Sequence, residues 1–64
     1  MERAPLLKQA RLKKRLTREE VAERLDVDPT TVTRWEKGAT TPQPINLLKL
    51  CELYGVTAQA LGFD

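Results

Sequence analysis

The sequence predicts an all-α fold, a bundle of five short helices whose second and third members form a turn-linked pair. Three observations carry that prediction. Helix-start signals stand at Thr17 with Glu20 three residues later and at Asp28-Pro29. Glycines stand where helices would stop, at Gly38, Gly55 and Gly62. Leu47, Leu50, Cys51 and Tyr54 recur at the i, i+3, i+4, i+7 spacing that puts four side chains on one helix face.

After a tail ending at Pro5, Leu6 to Arg15 consists of helix formers, with Leu7 and Ala10 offering a core face. Lys8, Lys13, Lys14 and Arg15 read first as a solvated face and second as phosphate contacts. Arg11 falls among the core positions and therefore needs a partner, and Leu16 closes the core at the following turn. In helix 2, the Thr17 hydroxyl accepts from a first-turn N–H while the Glu20 carboxylate reaches back to the cap, and Val21, Ala22 and Leu25 form the stripe. Asp26-Val27-Asp28 interrupts it. Asp28 caps helix 3, and Pro29 suits its first position, where the missing N–H removes no bond. Val32 and Trp35 are the inward pair, which argues for Trp35 as a core residue over a base-stacking one.

Ala39 to Pro44 reads as a loop, because two prolines one residue apart resist both helix and sheet. Helix 4 follows and stops at Gly55. Ile45, Leu48 and Leu53 fall off its inward face; they pack on helix 5 or the amino-terminal tail, or lie exposed as a self-association surface. Thr57 caps the last short helix, which runs through Leu61, so the core spans about residues 6–62 of a single domain covering 1–64.

The composition excludes several classes. Cys51 is the lone cysteine and histidine is absent, so an internal disulfide and an ordinary zinc site are not expected, and Cys51 reads as a small core residue. No apolar run approaches the roughly 18 residues of a membrane span, and the first residues lack the apolar stretch of a signal peptide. A cytoplasmic protein without membrane attachment is the expectation. With no histidine, no paired acids beyond Glu19, Glu20 and Glu23 on an exposed helix face, and no glycine-rich phosphate loop, neither an enzyme nor a cofactor or small-molecule substrate is expected. The net charge is only +2, but seven of the eleven basic residues lie in the first 18 against one acidic residue, which points to an anionic partner.

Thr17-Arg18-Glu19-Glu20-Val21-Ala22 and Val32-Thr33-Arg34-Trp35-Glu36-Lys37-Gly38 resemble the opening and close of the Cro/repressor (Xre-like) helix-turn-helix family. The similarity runs from about Leu7 to Leu61 and includes Pro42, Leu47-Leu48-Lys49-Leu50 and Tyr54-Gly55-Val56-Thr57. It implies a lambda-repressor-like fold that binds double-stranded DNA as a transcription regulator or repressor, with a recognition helix at about 29–37 in the major groove. Carried over by position, Pro29, Thr30, Thr33 and Arg34 face the bases, with Arg34 suited to a guanine. Arg18, at the place of the family's Gln, meets a phosphate, as do Thr31, Lys37, Thr40, Thr41 and Gln43. Arg11 and Glu36 form a structural ion pair. Two departures stand out: Asp28, where a Ser or Thr would donate to a phosphate, and Arg15, where the family often has Gly. One such motif contacts one half-site, so a homodimer or fusion to further domains is implied. Asp28, Pro29 and the modest charge leave open a second reading, a protein-interaction module of the same fold. RNA binding is disfavoured because no aromatic platform is apparent.

Overall fold

The computed structural model describes residues 3–63, with side chains from Leu6 onward. Helices α1 (Arg3–Lys13), α2 (Arg18–Leu25), α3 (Pro29–Lys37) and α4 (Pro44–Tyr54) are followed by a single 3-10 turn, Gln59–Leu61. The expected fifth helix is therefore only that turn. Leu61 N–H bonds the carbonyls of both Thr57 and Ala58, and Gly62 enters the left-handed region at φ 87° directly afterwards. Three residues leave no room for a ladder of α-helical bonds. The Thr57 hydroxyl accepts from Ala60 N–H at 3.1 Å and holds the start of the turn.

Leu7, Val21, Ala22, Leu25, Val32, Trp35, Leu50, Tyr54, Leu61 and Phe63 make one core. It draws on every helix: α2 packs on α3 and α4, while α1 packs on α3 and the 3-10 turn. Trp35 is 4 % exposed. Leu47, Cys51 and Leu53 pack partly buried against the core, whereas Ile45 and Leu48 lie more than half exposed. Phe63 extends the core past the expected limit at 62.

Helix α1 differs from expectation at both ends. It already includes Arg3–Pro5, because a proline in the first turn lacks an N–H that would have no intrahelical acceptor there. The rest of the expected tail, Met1 and Glu2, lies outside the described residues. The helix stops at Lys13, short of Arg15, which adopts φ 56°. Leu16 N–H reaches back to Arg11 O at 3.3 Å and Arg15 N–H to Leu12 O at 3.0 Å, the paired bonds of a Schellman stop. Asp26 ends α2 in the same way at φ 58°, with Val27 N–H on Ala22 O.

Arg15 thus occupies a conformation that favours glycine, since a Cβ in the left-handed region crowds the following carbonyl. Arg15→Gly is expected to stabilise the domain by about 1 kcal/mol and raise its melting temperature by roughly 4–8 °C. A thermal melt followed by circular dichroism checks this; an unchanged or lower midpoint would show that the arginine is not strained.

The starts of α2 and α3 are set by side chains. Thr17 Oγ1 accepts from Glu20 N–H at 3.1 Å while a Glu20 carboxylate oxygen takes Thr17 N–H at 2.9 Å. Those bonds to Thr17 hold the Glu20 carboxyl below its ordinary range. Asp28 caps α3 through Thr30 N–H at 2.8 Å, and Pro29 fills the first position. Pro44, expected to end the preceding loop, is the first residue of α4 for the same reason as Pro29, and Gln43 stands at its cap without a side-chain bond.

Candidate nucleic-acid interface

Helix α3 is two-sided. Val32, Trp35 and Glu36 are buried, whereas Pro29, Thr30, Arg34 and Lys37 are exposed, and Thr31 and Thr33 are half-buried. Residues four apart stand in line, so Pro29, the half-buried Thr33 and Lys37 form one row and Thr30 and Arg34 the next. The three inward anchors fix the rotation of the helix about its axis. That rotation presents Thr30, Thr33 and Arg34 together on the outside.

The polar groups of this face are not equally available. Thr33 Oγ1 donates to Pro29 O at 3.2 Å, so its proton is engaged within the helix while its oxygen can still accept. Thr30 donates its backbone N–H to the Asp28 cap at 2.8 Å. The Asp28 carboxyl is held below its ordinary range, chiefly by the Thr30 hydrogen bonds and further by the positive charge of Arg34. The anionic cap therefore stands on the same end of the motif as the bases' expected contacts.

Arg11 and Glu36 meet in the interior. Arg11 Nε donates to Glu36 Oε2 at 2.6 Å and Nη2 to Oε1 at 3.2 Å, while Nη1 donates to Leu16 O at 2.9 Å. One guanidinium thus links α1, its stop and the end of α3. Glu36 Oε1 also accepts from Arg18 Nε at 3.0 Å, a contact the sequence reading did not foresee. Helical spacing relates neighbours three or four positions apart, and nothing in it signals a pair 18 residues apart. Tyr54 packs close by, and its hydroxyl is pushed up to about 12, mainly by burial, then by the Glu36 charge, with Arg11 opposing.

Thr40, Thr41 and Gln43 are exposed on the loop between α3 and α4, while Pro42 is buried. The structure places these three, Lys37 and Arg18 around α3, on the loop after it and the helix before it. Lys8, Lys13, Lys14 and Arg15 are all exposed. Among the described residues no cluster of side chains suits a metal ion, and no helix is long and apolar enough to cross a membrane.

A family model described as helix-turn-helix matches residues 7–61, most of the chain. The chain belongs to this helix-turn-helix family, of the Cro/repressor, Xre-like type. Its members are DNA-binding domains, generally of transcription regulators, and the all-helical architecture with its α2–α3 pair is the architecture of that class. No match was found among curated proteins or among solved structures.

Proposed function

We propose that this domain binds double-stranded DNA sequence-specifically as a transcription regulator, with α3 lying in the major groove. The observation that carries the reading is the division of α3 into an inward anchor of Val32, Trp35 and Glu36 and an outward face bearing Thr30, Thr33 and Arg34. A helix held in this way presents base-reading groups without reorganising itself on binding. Arg34 is the principal reader, its guanidinium forking to two acceptors of a guanine. Thr30 offers a hydroxyl or a methyl, Thr33 mainly its methyl, and Pro29 apolar contact to a thymine. Arg18, Thr31, Lys37, Thr40, Thr41 and Gln43 hold the backbone and set the register.

The test is selection of bound duplexes from a random DNA pool by the 64-residue chain at low salt, followed by sequencing. Enrichment of a motif containing a guanine is the expected result; a palindromic motif would add that two copies bind together. No enrichment at any salt would overturn the reading in favour of a protein-interaction module of the same fold. The observation favouring that second reading is the exposed carboxylate of Asp28 at the start of α3, which repels a phosphate.

Asp28→Ser separates the cap from the charge. Serine caps about as well as aspartate, so the fold should keep its stability. Affinity for a selected duplex should rise about threefold at low salt, and the gain should shrink as salt screens the repulsion. Equal affinity for the two proteins across a salt titration would place Asp28 away from the DNA backbone.

A further inference from the structure

We propose that Glu36 is a positioning residue for backbone binding: it grips Arg18 by Nε and so presents the opposite, Nη1 and Nη2 edge of that guanidinium as a fixed fork to one DNA phosphate. This rests on the reading of the domain as a DNA binder and concerns how the same interface is held in shape.

Two arginines share one carboxylate and are treated differently. Arg11 commits all three of its nitrogens, to Glu36 and to Leu16 O, and its side chain is 8 % exposed. Arg18 commits only Nε, and its side chain is 37 % exposed. Among the described residues its Nη1 and Nη2 groups have no acceptor. The guanidinium is planar, so a bond at Nε restricts the direction of the four remaining N–H donors. Two such donors in parallel match the two oxygens of a phosphate.

Charge favours the same partner. The Glu36 side chain is 3 % exposed and carries one negative charge against two guanidinium groups, so the cluster keeps an excess positive charge, and Arg18 is its more exposed outlet. The nearest acids on α2 do not cancel it in an equivalent way: Glu20 is turned back to Thr17 N–H, and Glu19 makes no bond to Arg18. An arginine already held in the free protein loses less side-chain freedom on binding, so more of the phosphate contact appears as affinity. Because Glu36 lies on α3, the grip on the backbone and the base-reading face belong to one rigid unit. A glutamine at position 18 would lack the fork, the charge and the means to share Glu36 in this way.

The experiment uses the whole chain with a duplex of about 20 base pairs of mixed sequence, roughly two helical turns, and follows fluorescence anisotropy over a salt series. Arg18→Gln is expected to weaken binding about tenfold and to reduce the slope of log affinity against log salt by about 0.9, the loss of one phosphate contact. Arg18→Lys keeps a positive charge and should keep the slope while binding several-fold more weakly. An unaltered slope in Arg18→Gln would show that no phosphate is met. Wild-type affinity in Arg18→Lys would show that orientation by Glu36 is irrelevant. Absence of any binding by the wild-type chain would remove this inference together with the DNA-binding reading, whereas binding with unaffected Arg18 variants would remove this inference alone. Nuclear magnetic resonance of the free wild-type protein supplies a readout independent of mutation. The Arg18 Nε proton should exchange with water more slowly than that of Arg34, and equal rates would overturn the grip.

Discussion

Glu36→Ala is expected to cost about 3–5 kcal/mol, because it leaves the guanidinium of Arg11 buried without its counter-charge. A domain of this length has a total stability on the order of 3–10 kcal/mol, so the variant should be largely or wholly unfolded at physiological temperature. Arg11 is too enclosed to turn to water, since its surroundings leave 8 % of its side chain exposed and Nη1 is tied to Leu16 O. Arg18 suffers less, because its partly exposed side chain can be hydrated. A urea titration followed by far-ultraviolet circular dichroism measures the loss. The companion variant, Arg11→Met with Glu36→Met, separates charge from packing: it removes both buried ions together and should recover most of the stability. A loss under about 1 kcal/mol in Glu36→Ala would mean that the buried bridge contributes little and that the apolar core holds α1 to α3 unaided.

The legible parts of this fold were those governed by contacts within a few residues. Thr17 with Glu20, Asp28 with Pro29, and the glycines at 38, 55 and 62 act on the backbone beside them, so their effect could be read from spacing. The inward stripe of α4 was legible for the same reason. Arg15 was harder, because it is left-handed at the helix stop that precedes the partly buried Leu16, and an arginine carries no local signal for that conformation. The off-face residues of α4 divided, with Leu53 packed and Ile45 and Leu48 exposed, since the outcome depends on which elements reach them. Phe63 is buried by docking of the chain after the 3-10 turn, a tertiary event without a helical period. At the candidate site, the outward placement of Thr30 and Arg34 follows from the anchors Val32 and Trp35. The shared carboxylate of Glu36 does not, because Arg18 and Glu36 become neighbours only when α2 and α3 pack.

Arg34→Ala is expected to abolish the preference for guanine at one position of the selected DNA site, a loss of about 1–3 kcal/mol of discrimination. The side chain is exposed and makes no hydrogen bond among the described residues, so the fold should melt as before and the effect should appear in binding alone. The form of the loss matters more than its size. A base-reading arginine gives a penalty on the cognate duplex that vanishes on a duplex already lacking the guanine, whereas a backbone contact weakens all duplexes alike. Lys37→Ala supplies the contrast, since a phosphate contact at that exposed position should lower affinity uniformly and reduce the salt slope by about 0.9. Competition binding of both variants against matched and substituted duplexes, each over a salt series, distinguishes the roles. Uniform weakening with a reduced slope in Arg34→Ala would reassign Arg34 to the backbone and leave base reading to Thr30 and Thr33.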